Sequence, residues 1–112
     1  MAKIKDILLL YIETVRKIYG SHLQKIILYG SYARGDATAS SDIDIMILVD
    51  LDEMEIKKYA NRLSDMTYDI NLDYDVIIMP IVKNEAHFNH WVSAYPFYYN
   101  VKREGVTLYE AA

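Results

Sequence analysis

Apolar residues recur at Ile4, Ile7, Leu8, Tyr11, Val15 and Ile18, the three-and-four spacing of one helix face, and Gly20 follows where a left-handed cap would close such a helix. The run KIILYG, ending at Gly30, is short and rich in branched residues, which favours a buried strand. A polar, glycine-containing loop spans residues 31–41. In DIDIMILVD, residues 42–50, Ile43, Ile45, Ile47 and Val49 share one face while Asp42, Asp44, Met46 and Leu48 share the other. Both faces turn apolar after Asp44, so this segment reads as a central strand covered on both sides.

Ile56, Tyr59, Ala60 and Leu63 make a second helical stripe, predicted over about residues 52–66 behind an acidic N-terminus. The stretch YDINLDYDVIIMP, residues 68–80, reads as a third strand closed by proline. Phe88, Trp91, Val92 and Tyr95 predict a helix from Glu85 to about Tyr95, halted by Pro96. The tail predicts a short helical piece, a break at Gly105 and an edge strand from Val106 to Tyr109. The order places the chain in the α/β (α+β) class: a small mixed sheet of three to four strands flanked by helices, as a single domain over residues 1–112.

At 112 residues and 53% hydrophobic content the chain supports one core and leaves no room for two full domains. The absence of cysteine excludes disulfides, thiolate zinc sites and cysteine nucleophiles, and is compatible with a reducing compartment. A formal charge of −4 argues against a broad grip on nucleic acid or on an anionic membrane. The apolar patch from Ile7 to Ile12 is bounded by Asp6 and Glu13 and falls far short of the roughly 20 residues of a membrane span. The expectation is a start that is not a leader, and a cytoplasmic protein.

The chemistry concentrates in YGSYARGDATASSDIDIMILVD, residues 29–50. Asp42 and Asp44 stand two apart on a strand, so they project to one side with roots about 6–7 Å apart. Burying carboxylates unpaired costs several kcal/mol, and the usual remedy is a hard divalent cation such as Mg²⁺, held by one or two carboxylates, water and phosphate oxygens. On the expected third strand Asp73 and Asp75 offer a further carboxylate. Gly30 lets backbone approach a ligand, and Ser31 can cap a helix or hydrogen-bond a phosphate. The spacing is not that of a Walker A loop.

Taken singly these features have bland readings. Gly30-Ser31 is an ordinary strand-to-loop turn, Asp42 and Asp44 are a solvated strand end, and Arg34 is either a phosphate contact or a surface cation. Asp36, Asp50 and Asp52 read as surface or capping residues. His22, His87 and His90 form no metal-ligand grouping. Most of the 11 tyrosines are expected in the core and a few at an interface.

Taken together, Gly30-Ser31, the ten residues from Tyr32 to Ser41, and Asp42-Ile43-Asp44 resemble the signature of the minimal nucleotidyltransferases of the DNA polymerase β superfamily. Arg34, Gly35 and Ser41 also stand in familiar places of that family's loop. The resemblance implies a polymerase β-like nucleotidyltransferase fold, ATP as substrate, a pair of Mg²⁺ ions, and attack of an acceptor oxygen on the α-phosphorus with loss of pyrophosphate. By that likeness Gly30, Ser31, Arg34 and Ser41 bind the nucleotide. Asp42 and Asp44 hold metal and are catalytic, and Asp75, chosen over Asp73, completes the metal site or helps deprotonate the acceptor. Small stand-alone relatives are commonly the antitoxin half of a two-gene system whose other half is a helical HEPN toxin. The implied acceptor is then a tyrosine of that partner, within a hetero-oligomer or alongside a homo-oligomer. The rivals are a non-catalytic antitoxin acting by complex formation and a transferase for a small molecule of the aminoglycoside kind.

Overall fold

The computed structural model describes residues 3–112; Met1 and Ala2 of the N-terminal segment lie outside the described residues. Helix α1 covers Ile4–Tyr19 and buries Ile7, Tyr11, Val15 and Ile18, the stripe read from the spacing. Gly20 has positive φ, but its ψ of −131° takes it outside the left-handed helical region and into a 3-10 turn, Gly20–His22. Strand β1 is Leu23–Tyr29, followed by the four-residue helix α2, Ser31–Arg34, and strand β2, Ile43–Val49. Helix α3 is Glu53–Tyr74, β3 is Ile78–Asn84, α4 is Glu85–Trp91, α5 is Pro96–Glu104 and β4 is Val106–Glu110. The four strands form one mixed sheet in the order β3-β2-β1-β4, with β2 and β3 parallel and the other neighbours antiparallel.

Three expectations need correction. The predicted third strand over residues 68–80 is helix until Tyr74. Leu63, Thr67 and Ile70 supply a buried helical stripe that outweighs the alternation of Tyr68, Ile70, Leu72 and Tyr74, and a parallel β2–β3 pair requires a long crossover. Pro80 lies inside β3 rather than at its end. β3 is an edge strand, and Ile77 already turns its carbonyl toward Ile43 of β2, so by alternation the missing donor of Pro80 faces outward. Pro96 does not halt a helix; α4 stops at Trp91, and Pro96 opens α5 at its first turn, where a missing N–H costs nothing.

The two faces of the sheet carry separate cores. Leu23, Ile26, Leu28, Ile43, Ile45, Ile47 and Val49 pack under α1 and α3, while Ile27, Met46 and Leu48 pack under α4 and α5 with Phe88, Tyr98 and Val101. β2 is thus covered on both sides beyond Asp44, as its sequence implies. Asp52 caps α3 in a capping box with Glu55, whose N–H donates to Asp52 Oδ1 at 2.8 Å. Tyr11, Tyr19 and Tyr98 are core residues, whereas Tyr68, Tyr95 and Tyr99 are exposed. No helix among the described residues is long and apolar enough to cross a membrane.

Candidate active site

The end of β1 and the start of β2 lie side by side because the strands are antiparallel, with Tyr29 opposite Asp44. That register turns a ten-residue separation between Gly30-Ser31 and the acid pair into direct contact. Gly30 has φ of +76°, and a Cβ at this position would overlap Asp44 Oδ2. The carboxylate therefore rests on the bare glycine backbone. Gly30 also starts α2: its carbonyl accepts the N–H groups of Ala33 and Arg34, and the Ser31 carbonyl accepts those of Gly35 and Asp36. The first N–H groups of that turn, on Ser31 and Tyr32, have no carbonyl one turn back within it.

Asp42 and Asp44 are brought together. Burial raises the affinity of Asp44 for its proton, the negative charge of Asp42 raises it further, and Arg34 works in the opposite direction. Tyr29, half-buried beside Asp44, is pushed up to about 12 by its own burial and by that carboxylate, so it is a neutral phenol. Its ring meets Phe97 edge-on, with centroids 5.7 Å apart. Arg34 is engaged on both sides: Nη1 donates to Glu104 Oε2 at 3.2 Å and Nε to Asp36 Oδ2 at 3.4 Å, tying the loop to the end of α5. Ser41 is turned into the loop, where its Oγ accepts the Thr38 N–H at 2.8 Å.

The expected third carboxylate is not part of this group. Asp73 lies within α3, and Asp75 is the C-cap of that helix, in the left-handed region at φ 53°. Asp75 lines a cleft of about 330 Å³ with Ile4, Ile7 and Tyr32, on the α1 side of the sheet, whereas Asp44 shares its face with Met46 and Leu48. No cluster of three acidic, histidine or cysteine side chains suited to a metal forms among the described residues. The β3 neighbour of Asp44 is instead Met79, and the Ile77 carbonyl accepts the N–H of Ile43, between the two acids.

Sequence reasoning missed four participants: Tyr29 as the neighbour of Asp44, Glu104 as the partner of Arg34, and the Ile77–Met79 flank. Their placement depends on strand pairing and on where α5 returns, and only the alternation of Tyr29 with the β1 core hinted at its face.

Residues 10–100 match the nucleotidyltransferase domain family. A relative from Methanocaldococcus jannaschii named "Putative protein adenylyltransferase" is 38% identical over 99 residues, 88% of this chain and 91% of its own. A crystal structure of a "putative nucleotidyltransferase" from Sulfolobus solfataricus superposes with a TM-score of 0.53 at 21% identity, covering 98% of this chain and 92% of that one. A crystal structure described as "the toxin-antitoxin with AMP-PNP" gives a TM-score of 0.51 at 21% identity over 97% of this chain and 75% of that one. At that identity the two structures speak for the fold, while the sequence match runs through β1, the loop, β2 and the helices beyond. The chain belongs to the nucleotidyltransferase domain family and is a nucleotidyltransferase.

Proposed function

We propose that the protein transfers AMP from ATP to a hydroxyl of a partner protein, a tyrosine of a helical HEPN toxin, and so acts as an antitoxin by adenylylation. The observation that carries the chemistry is the seating of Asp44, beside Asp42, against the Gly30-Ser31 turn. The protein acceptor is favoured by the name of the Methanocaldococcus relative, and the toxin partner by the assembly in which a fold neighbour was crystallised. The HEPN identity of the partner rests on the family resemblance.

The acid pair fits Mg²⁺. Burial and the neighbouring charge of Asp42 make ionised Asp44 costly, so it gains from a hard cation, and Mg²⁺ is satisfied by one or two carboxylates with water and phosphate oxygens. When bound, such ions neutralise charge on the attacking and leaving oxygens of an in-line displacement.

The chain's own groups do the rest. Gly30 leaves room for the Asp44 carboxylate against its backbone, and Ser31 offers its N–H and hydroxyl to the nucleotide's phosphates. Asp42 and Asp44, at the start of β2, would hold the metal. Arg34 meets the polyphosphate by exchanging Asp36 and Glu104 for it. Ser41 holds the loop closed through Thr38. Asp75 receives no ligand role, since it faces the other side of the sheet.

Incubating the protein with Mg-ATP and a helical partner, followed by intact-mass spectrometry, tests the proposal. A 5′-adenylyl adduct on the partner that disappears with Asp42→Asn is expected. A partner neutralised equally well by Asp42→Asn, with no adduct in either case, would replace it by neutralisation through complex formation.

A further inference from the structure

The acid pair sits in the middle of a row across three strands, Tyr29–Asp44–Met79, and the two ends of that row differ in chemistry. On the β1 side stand the turn at Gly30-Ser31 and the half-buried phenol of Tyr29. On the β3 side stand Ile77, 52% exposed, and Met79, 49% exposed. Deeper on the same face Met46, Leu48 and Ile81 are covered by α4 and α5, so those two helices leave the acid end open. Ile77 and Met79 are therefore apolar side chains left in water beside two carboxylates.

In-line displacement fixes what meets them. The entering oxygen approaches the phosphorus from the side opposite the departing pyrophosphate. With pyrophosphate over Gly30-Ser31 on β1 and the α-phosphorus over Asp42 and Asp44 on β2, the acceptor enters over β3, one strand spacing of about 4.8 Å beyond the acids. We infer that Ile77 and Met79 form the acceptor wall of the site and select a tyrosine flanked by apolar residues, an inference resting on the adenylyl-transfer reading above.

The wall bears on acidity as well as on contact. No third carboxylate or histidine joins the pair among the described residues, so β3 brings no base to the acceptor. A phenol ionises near pH ~10, far more readily than an aliphatic hydroxyl. The tyrosine proton passes to water and its oxygen bonds to the α-phosphorus. The bond from that phosphorus to the bridging oxygen breaks, and pyrophosphate leaves with the electron pair.

The test uses the full chain, Mg-ATP and three blocked peptides, acetyl-Leu-Tyr-Leu-amide, acetyl-Asn-Tyr-Asn-amide and acetyl-Leu-Ser-Leu-amide, with AMP-peptide read by mass spectrometry. The apolar tyrosine peptide is expected to show a kcat/KM about tenfold above each of the others. Met79→Gln, alone and with Ile77→Asn, is expected to raise KM for Leu-Tyr-Leu about tenfold with little change in kcat, and so to erase its lead over Asn-Tyr-Asn. A merely structural lesion would depress both peptides, and thermal melts identify variants that do not fold. Equal labelling of the two tyrosine peptides overturns the wall, and labelling of serine as fast as tyrosine overturns the phenol preference. Calorimetric binding of Mg-ATP with no peptide labelled also counts against the wall, whereas failure to bind Mg-ATP at all marks the transferase reading itself as the fault.

Discussion

Asp44 Oδ2 occupies the space that a side chain at Gly30 would fill. One residue thus sets both the turn that opens α2 and the position of a carboxylate on the neighbouring strand. Gly30→Ala must move Asp44 or the turn, at a positive φ that already costs an alanine about 1–2 kcal/mol. A displacement near 1 Å is expected to reduce adenylyl transfer by about 100-fold. Steady-state kinetics beside a denaturant melt separates the two effects, and wild-type turnover in the variant would show that the contact is incidental.

Asp44 binds its proton more tightly in the folded protein than an ordinary aspartate, through burial first and the charge of Asp42 second. The sign follows from linkage. A raised folded-state pKa contributes stability at acid pH, and that contribution is lost as pH rises through the raised value. Asp44→Asn is therefore expected to melt higher than the wild type at neutral pH without Mg²⁺, with the difference shrinking toward pH ~3. The same variant loses transfer activity. A melt series over pH checks both signs.

Arg34 is held by Asp36 and Glu104 through exposed ion pairs, which are individually weak. Glu104→Gln removes one of the two ion pairs on the guanidinium and is expected to lower KM for Mg-ATP by about threefold, while Arg34→Ala raises it by about tenfold. Opposite shifts in the two variants identify Arg34 as a phosphate contact. Unchanged KM in both would leave it a loop fastener.

Tyr11, fully buried in α1, shares a 2.8 Å hydrogen bond with Thr67 of α3. Thr67→Val keeps the shape and strands the phenol, at an expected cost of about 1–3 kcal/mol in urea unfolding. Transfer activity at low temperature stays near wild type, because the bond lies on the face of the sheet opposite Asp44.

Much of this was legible in the sequence where a pattern is local. The α1 stripe, the two-faced β2 and the Gly30-Ser31 to Asp42-Asp44 spacing each stand in the structure as the residues imply. The failures arise where tertiary context decides. The aromatic alternation of residues 68–74 resembles a strand, yet Leu63, Thr67 and Ile70 keep α3 helical to Tyr74, and Asn71 folds back to bond both the N–H and the carbonyl of Ile78. That longer helix carries Asp75 to a cleft on the α1 side of the sheet, where the strand reading had expected it beside Asp42 and Asp44. Strand register, invisible to spacing alone, put Tyr29 and Met79 on either side of Asp44.

The central claim, that the Asp42–Asp44 pair and the Gly30-Ser31 turn bind a nucleoside triphosphate through a divalent cation, is tested most directly by calorimetric titration with a non-hydrolysable ATP analogue. The expected result is one binding event that requires Mg²⁺ and vanishes in Asp42→Asn and Asp44→Asn. Binding of equal strength without Mg²⁺, or undiminished in both variants, would contradict it.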